Sequence, residues 1–172
     1  AYSVEAEVHS GKKNIHGYTW SLADSSTNPA IYNYGDGHGP VPFGNFNGNT
    51  GDFSGKMPGQ DAAVKYGYQV DRSNPNAKSV FTVKYMTENG TVVHAPDVQE
   101  VFPEDIIAAA PADVYGFRYL SGSITAGTAA DDTDGHLVSS VECGFDSYGM
   151  FTGTMPNQPV EITYLYDATE DG

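Results

Sequence analysis

The chain has 172 residues, of which 17% are charged, with 8 basic and 22 acidic side chains and a formal net charge of -14 at pH 7. This acidic balance excludes the phosphate attraction that drives nucleic-acid binding, and it opposes contact with anionic membranes. The 20 glycines, 12 tyrosines and 10 prolines are typical of a turn-rich, strand-rich globular chain and not of a disordered one.

The first predicted element is a strand over residues 1–9. Tyr2, Val4, Ala6 and Val8 lie on one face of this strand, with polar residues between them. The opening residues have neither the basic nor the apolar region of a signal peptide, and no stretch approaches the roughly 20 apolar residues that a membrane span requires. We therefore expect an excised mature fragment with no membrane insertion.

Long loops rich in Gly and Asp are predicted over residues 21–52 and 120–150. Exposed aromatic rings beside polar groups commonly bind sugars, and several aromatic residues lie in or beside these loops. The candidate ligand-binding residues are Tyr32, Tyr34, Phe43, Phe46 and Tyr148. Together they predict a glycan-binding surface.

An Asp-Gly-His motif occurs at residues 36–38 and again at residues 134–136. Asp-Gly supplies the positive φ of a tight turn, and the histidine would then be the first residue of a strand. The alternative is that the carboxylate and the imidazole form a pair of transition-metal ligands.

A second metal hypothesis concerns calcium. Carboxylates cluster at Asp131, Asp132 and Asp134 next to Gly135, but the full ligand spacing and the terminal glutamate of an EF-hand are missing. The alternative is a solvated acidic loop. The sequence predicts no cofactor, with calcium at these three aspartates as the other possibility.

An internal repeat relates the two halves of the chain. Residues 53–60, FSGKMPGQ, match residues 151–158, FTGTMPNQ, at an offset of 98. The strands that follow carry Tyr66 and Tyr164 at the same offset. Since a repeat determines the whole architecture, we interpret the chain as two copies of one module.

The repeat extends upstream of these motifs. The two Asp-Gly-His motifs keep the offset of 98, and residues 15–20 match residues 114–119 at an offset of 99. Trp20 aligns with Tyr119, so we expect Trp20 to fill a core position instead of a sugar-binding one.

The predicted modules are residues 1–72 and 79–168. Residues 73–78 form a polar run with a proline, which is typical of a short linker. The first module has no counterpart to the opening hairpin of the second. It is either a shorter variant or truncated at its start.

The second module opens with a predicted β-hairpin. Residues 81–86 alternate apolar and polar side chains, and Asn89-Gly90 separates them from residues 91–94. Asn-Gly between two such runs predicts a type I′ turn, which requires positive φ at both central positions.

The rest of that module contains one predicted helix and a closing strand. Residues 103–110 carry acidic residues in a first turn and precede Pro111, which predicts a short helix. The closing strand, residues 160–166, alternates apolar residues with Glu161 and Thr163, so one face is expected to be buried. Its counterpart carries Tyr66 and Tyr68 on the apolar face.

These features together resemble the mucin-binding-protein (MucBP) repeats of Gram-positive surface proteins. The resemblance rests on the Asn-Gly hairpin, the Tyr-Gly-Phe at residues 115–117, the Thr-Gly-Thr-Met-Pro turn at residues 152–156 and the closing strand. It covers about half of the chain and is strongest over residues 79–167. It implies a mainly β fold of the α+β class, with β-grasp (ubiquitin-like) modules in tandem and little helix. It also implies an extracellular, cell-wall-attached or secreted adhesin that binds mucin or host glycans.

Enzymatic function is not expected. The chain lacks a Gly-x-Ser-x-Gly elbow and a cysteine-protease signature around its single cysteine, Cys143. The expected partners are mucin or another host glycoprotein or glycan, and neighbouring repeats of the same chain. The alternative function is a non-binding stalk or spacer repeat of a wall-anchored protein.

Overall fold

The computed structural model of the protein describes residues 7–126 and 143–169. The described part is mainly β, which confirms the predicted fold class at that level. Its strands are β1 (Glu7–Ser10), β2 (Tyr18–Asn28), β3 (Ile31–Asn33), β4 (Pro40–Pro42), β5 (Gly44–Phe46), β6 (Phe53–Lys56), β7 (Ala63–Val70), β8 (Ser79–Thr87), β9 (Val92–Val101), β10 (Ile106–Ala109), β11 (Phe117–Ala126), β12 (Cys143–Phe145), β13 (Phe151–Thr154) and β14 (Val160–Ala168).

The chain divides into two compact units. Unit 1 comprises Ala1–Asn14 and Tyr18–Gln69, and unit 2 comprises Ile15–Gly17 and Val70–Gly172. A 3₁₀ helix, Pro75–Ala77, lies inside the predicted linker, where the Asn74 side chain accepts a hydrogen bond from the Asn76 N–H. No helix in the part of the chain that the structure describes is long and apolar enough to cross a bilayer.

The described residues of unit 1 form three small sheets. Strands β1, β6 and β5 form a three-stranded sheet in that order, β2 pairs with β7, and β3 pairs with β4 as a short hairpin. The aromatic core of the unit is centred on Phe53, whose ring lies 5.3 Å from that of Phe43 and 5.1 Å from that of Phe46. Tyr66 extends this cluster with a T-shaped contact of 5.4 Å to Phe46.

Unit 2 has a larger sheet and a clearly defined core. Its four-stranded sheet has the order β11-β14-β8-β9, with β14 parallel to β8 and antiparallel to β11. A second sheet has the order β10-β13-β12. The core side chains are Phe81, Val83, Tyr85, Ile107, Phe151, Met155, Val160, Ile162, Tyr164 and Tyr166.

The three-stranded sheets of the two units have the same register. In unit 1 Val8 lies opposite Gly55, and in unit 2 Ile107 lies opposite Gly153. On the other side of the central strand, Phe46 faces Phe53 just as Phe145 faces Phe151. Within these three-stranded sheets, the matching sequences of the two units therefore have the same strand order and register.

The closing strand β14 has the alternation that its sequence predicts. Ile162 and Tyr164 are 0% exposed, whereas Glu161 and Thr163 are half-buried. Apolar residues therefore line one face of the strand and pack on the core. In β7 the same alternation is weaker, because Tyr66 and Tyr68 are only half-buried.

The predicted hairpin is present as β8 and β9, which pair antiparallel. Its turn is not type I′, however. Gly90 has a φ of 89°, but Asn89 is not among the residues with positive φ. The Gly90 N–H donates to the Thr87 carbonyl and the Thr87 N–H donates to the Thr91 carbonyl. A three-residue loop, residues 88–90, therefore closes the hairpin, and it requires a left-handed conformation only at Gly90.

The predicted helix over residues 103–110 is wrong. Glu104 has a φ of 74°, which a right-handed helix cannot accommodate, and the following residues form strand β10 against β13. Ile106 is 78% exposed and Ile107 is buried, so the side chains alternate as in a strand. For the strand predicted over residues 1–9, the structure describes only its last part, as β1.

We expect the buried phenols of β8 and β14 to ionise above the ordinary range of tyrosine. Burial is the main cause that raises the pKa of Tyr85, Tyr164 and Tyr166. Because these pKa values lie above the value of 10.0 in the unfolded chain, the unfolded chain loses its phenolic protons first. The free energy of unfolding should therefore be unaffected by these groups below about pH 10 and fall as the pH rises further.

An alkaline titration checks this expectation. Tyrosinate absorbance and circular dichroism are followed together, and a fraction of the 12 tyrosines should ionise only as the sheet signal is lost. Ionisation of all tyrosines near the ordinary pKa, with the sheet signal intact, would contradict it.

Candidate functional site

A cleft of about 740 Å³ in unit 2 lies beside the start of β11. Its walls come from residues 110–119, from the loop between β12 and β13, and from Tyr166 on β14. Two tyrosines at its rim are almost fully in solvent: Tyr115 is 95% exposed and Tyr148 is 79% exposed. Large exposed aromatic side chains beside a concave surface are typical of ligand-binding sites.

A tight turn positions Tyr115. The Phe117 N–H donates to the Val114 carbonyl, and Gly116 has a φ of 85°, which is the geometry of a type II turn. The Gly116 carbonyl accepts a hydrogen bond from the Thr169 N–H, which holds the turn against the end of β14. Tyr115 occupies the first central position of this turn and is therefore directed away from the core.

Asp146 organises the loop that carries Tyr148. One oxygen of its carboxylate accepts hydrogen bonds from the Tyr148 N–H at 2.8 Å and from the Met150 N–H at 3.0 Å. Gly149, with a φ of 83°, donates to the Asp146 carbonyl. These bonds leave the Tyr148 ring and the Met150 side chain exposed at the cleft.

The floor of the cleft is aromatic and rigid. The rings of Tyr119 and Tyr166 lie 6.4 Å apart, and the Tyr166 hydroxyl donates to the Ala112 carbonyl at 2.8 Å. Burial raises the pKa of Tyr166, so its phenol stays protonated and keeps this hydrogen bond. The cleft therefore has a fixed base and exposed side walls.

The charges at the cleft nearly balance. Arg118 forms a solvent-exposed ion pair with Asp167 at 3.1 Å, and Asp113 is a further lining carboxylate. The described lining residues are otherwise aromatic or apolar and include no Ser, Cys or His. Such a lining suits the noncovalent binding of a ligand with both apolar faces and hydroxyl groups.

Tyr32 and Tyr34 lie together in unit 1, on the β3–β4 hairpin. Their rings make a T-shaped contact at 4.8 Å. The Tyr32 hydroxyl accepts a hydrogen bond from the Gly59 N–H, and the Tyr34 hydroxyl donates to the Lys56 carbonyl at 2.6 Å. Lys56 Nζ lies 4.8 Å from the centre of the Tyr34 ring, and burial raises the pKa of that phenol. Both tyrosines are half-buried and form part of the unit's own packing.

The other predicted ligand-binding residues have different environments. Phe43 is 2% exposed and Phe46 is half-buried, and both pack on Phe53 in the core of unit 1. Their rings are therefore not part of an exposed platform. Tyr148 lies in unit 2, at the cleft described above. Trp20 is half-buried, and its indole N–H donates to the Ser25 hydroxyl.

The first Asp-Gly-His motif forms a turn between β3 and β4. Asp36 Oδ1 accepts a hydrogen bond from the His38 N–H at 3.1 Å and lies 3.2 Å from His38 Nδ1. The hydrogen bond from that backbone N–H is the main cause that lowers the pKa of Asp36. Gly35, Gly37 and Gly39 all have positive φ, and β4 starts two residues after His38. The turn interpretation thus agrees with the geometry, although His38 does not begin the strand.

The predicted calcium ligands Asp131, Asp132 and Asp134, and the second Asp-Gly-His motif, lie outside the described residues. Within residues 7–126 and 143–169, no group of three or more His, Cys, Asp or Glu side chains is close enough to hold a metal ion. The calcium hypothesis stays a prediction.

Tyr115 and Met150 line the cleft but are not among the predicted ligand-binding residues. Tyr115 aligns with His16 in the repeat, and this alignment does not by itself indicate a ligand-binding role. The sequence feature that could have indicated Tyr115 is the Tyr-Gly pair before a strand. Such a pair places the aromatic residue at the first central position of a turn. No protein-family model matches the chain, and neither does any curated protein.

Proposed function

We propose that this protein is an extracellular surface module that binds neutral glycans of mucin or another host glycoprotein through the cleft of unit 2. The observation that carries the proposal is the convergence of three exposed side chains around a floor formed by buried Tyr166 and half-buried Tyr119. The exposed side chains are Tyr115, Tyr148 and Met150. An aromatic face packs against the apolar face of a sugar ring, and carboxylate and guanidinium groups hydrogen-bond its hydroxyls.

The charge of the chain narrows the ligand class. With a net charge of -14, the protein repels sialylated or sulfated glycans over the range of the Debye length. The positive side chain at the cleft, Arg118, is already paired with Asp167. Neutral glycans fit this environment better than acidic ones. The same proposal includes a relationship to MucBP repeats, a location at the cell surface and a role without enzymatic activity.

The experiment is a glycan and mucin array screened with the protein displayed multivalently, because single modules bind weakly and arrays gain strength through effective concentration. Wild type is compared with the double variant Tyr115→Ala, Tyr148→Ala. Each aromatic contact contributes about 0.5–1.5 kcal/mol, so we expect binding to neutral glycans to weaken about tenfold or more. Both side chains are exposed, so the fold should be unaffected.

The matched control is the double variant Tyr32→Ala, Tyr34→Ala, which removes the two tyrosines of unit 1. It should bind glycans as wild type does. If both double variants lost glycan binding to the same extent, the assignment of the site to unit 2 would be contradicted. Binding confined to sialylated or sulfated glycans would contradict the ligand class.

A spacer function is the second candidate, and the duplicated sheet favours it. The three-stranded sheets of the two units share strand order and register, as expected for modules that extend an array by repetition. Absence of binding by the multivalent wild type to every neutral glycan on the array would favour the spacer over the adhesin.

A further inference from the structure

A second cleft of unit 2 adjoins the cleft that Tyr115 and Tyr148 line (the first cleft). Its volume is about 570 Å³, which lies within the usual range for small-molecule sites. Its walls come from the β8–β9 loop, the start of β11 and the end of β14. Phe117 and Tyr166 line both clefts, so the two clefts meet at these residues.

An ion pair lies at the junction of the two clefts. Arg118 lines the first cleft and Asp167 lines the second, and their side chains are 3.1 Å apart. This contact joins one guanidinium nitrogen to one carboxylate oxygen, and both side chains are exposed. A guanidinium has five N–H donors and a carboxylate has two acceptor oxygens, so the pair can also hydrogen-bond the hydroxyls of a sugar. A ligand that passes from one cleft to the other therefore meets a donor and an acceptor on its way.

The second cleft is rich in groups that hydrogen-bond sugar hydroxyls. Five of its lining residues carry a carboxylate, an amide or a hydroxyl, namely Glu88, Asp167, Asn89, Thr87 and Thr91. Leu120 adds an exposed apolar side chain. The first cleft presents exposed aromatic rings, which suit the apolar face of a sugar, whereas the second presents partners for the hydroxyl groups. The two clefts thus offer complementary contacts to one carbohydrate chain.

The side chain of Asn89 holds the loop that forms one wall of the second cleft. Its oxygen accepts hydrogen bonds from the Thr87 hydroxyl and from both the N–H and the hydroxyl of Thr91. The Thr87 N–H donates to the Thr91 carbonyl, which closes the loop. Because these bonds fix the loop before a ligand arrives, binding loses little conformational entropy there.

We propose that the two clefts are consecutive subsites for one extended oligosaccharide. The chain begins at the exposed tyrosines of the first cleft, crosses the Arg118–Asp167 pair and ends beside the β8–β9 loop. This inference rests on the proposed function, because the first cleft must itself bind a sugar. It defines the ligand class more narrowly, as a linear oligosaccharide and not a single terminal sugar.

The charge of the second cleft determines which chains fit. Its described lining includes the carboxylates of Glu88 and Asp167 and contains no Lys, Arg or His. A sulfate group or a sialic acid carboxylate placed there would face two like charges, which opposes binding. The end of the oligosaccharide that reaches this cleft is therefore uncharged.

The test measures how affinity depends on the length of the oligosaccharide. The probes are the linear N-acetyllactosamine disaccharide, tetrasaccharide and hexasaccharide, which are neutral and differ only in length. In isothermal titration of the whole chain, the hexasaccharide should bind about tenfold more tightly than the disaccharide, as expected for two or three added hydrogen bonds. The NMR signals of backbone amides should shift near Tyr148 with every probe, and at Glu88–Thr91 only with the longer ones.

A pair of double variants tests the second cleft directly. Glu88→Ala with Leu120→Ala removes two exposed side chains of this cleft, so the fold should be unaffected. It should weaken hexasaccharide binding about three- to tenfold and leave disaccharide binding unchanged. The matched control is Val98→Ala with Glu100→Ala, which removes an acidic and an aliphatic side chain, both exposed, from β9 outside the lining of the two clefts. It should bind both probes as wild type does.

The possible outcomes distinguish this inference from the proposed function. Tighter hexasaccharide binding that the Glu88 and Leu120 substitutions reduce supports the second subsite. Equal affinities for all three probes, with shifts confined to the first cleft, would overturn the second subsite and leave the glycan function intact. Tighter hexasaccharide binding that the two substitutions leave unchanged would overturn it as well. Absence of binding by every probe would overturn both the inference and the function on which it rests.

Discussion

Tyr164→Ala is expected to lower the free energy of unfolding of unit 2 by about 3–5 kcal/mol, the range for removal of a large buried aromatic side chain. The Tyr164 side chain is 0% exposed. Its ring stacks on Tyr85 and meets Tyr119 and Phe145 edge to face. Its hydroxyl donates to the buried carbonyl of Gly149 at 2.7 Å. The substitution therefore creates a cavity and leaves a buried acceptor without its donor.

Two further variants separate the effect of the cavity from the effect of the lost hydrogen bond. Tyr164→Phe keeps the ring and removes only the hydrogen bond, so we expect a loss of about 1–3 kcal/mol. Tyr66→Ala removes the repeat equivalent in unit 1, which is half-buried and hydrogen-bonds Ser10 Oγ, and it should cost less than Tyr164→Ala. Equal losses for Tyr66→Ala and Tyr164→Ala would contradict our account, since the two sites differ mainly in burial.

The measurement is urea unfolding followed by two probes. Two compact units can unfold separately, so a single probe would not give a well-defined free energy. The fluorescence of Trp20, the single tryptophan, reports on unit 1. Tyrosine circular dichroism, to which the clustered rings of unit 2 contribute strongly, reports on the other transition.

The strands that carry strict alternation could be predicted from the sequence. Residues 160–166 are buried on the predicted face because a period of two fixes which side chains share a face of a strand. The repeated turn motifs are also visible in the sequence, and the three-stranded sheets that contain them have the same register. The alternation and the turn motifs are short patterns of neighbouring residues, and such patterns can be recognised in a single sequence.

The helix predicted over residues 103–110 failed for a tertiary reason. Its apolar run and acidic start are compatible with a helix or a strand. The strand forms because these residues pair with β13, which lies more than 40 residues away in sequence. Pro103 is buried and Glu104 has a left-handed backbone conformation, so no helix begins at these residues. The pairing of β10 with β13 cannot be predicted from the sequence periodicity alone.

The site was predicted less well than the fold because exposure of an aromatic ring depends on its neighbours. Phe43 and Tyr148 both lie near glycines outside the long strands, yet Phe43 is buried against Phe53 and Tyr148 is in solvent. Hydrogen bonds to Asp146 hold the loop of Tyr148 outward. Nothing in the spacing of these aromatics distinguishes a core ring from a surface one.

Gly67→Ala is expected to destabilise unit 1 by about 3 kcal/mol or more, the upper range for overpacking, because a β-carbon at this position has no space. It would lie 2.3 Å from the carbonyl oxygen of Asp24 and 2.4 Å from the Asp24 Cβ, on the paired strand β2. Both contacts involve groups fixed to the backbone, so relief requires β2 and β7 to separate locally. At the corresponding position of unit 2, Leu165 is accommodated opposite Ser121, beside a register shift in β11.

The control is Gly48→Ala, also in unit 1, whose nearest neighbour would be Leu22 Cδ2 at 3.9 Å, an ordinary contact. It should change the free energy of unfolding by no more than about 0.5 kcal/mol. The Ser25 hydroxyl accepts hydrogen bonds from the Gly67 N–H at 3.0 Å and from the Trp20 indole N–H at 2.9 Å. Strand separation at Gly67 would therefore loosen Trp20, so the native fluorescence of Gly67→Ala should shift to longer wavelength and its urea midpoint should fall. If both variants unfold at the same urea concentration with unshifted emission, β2 and β7 do not approach each other at Gly67 as closely as the structure requires.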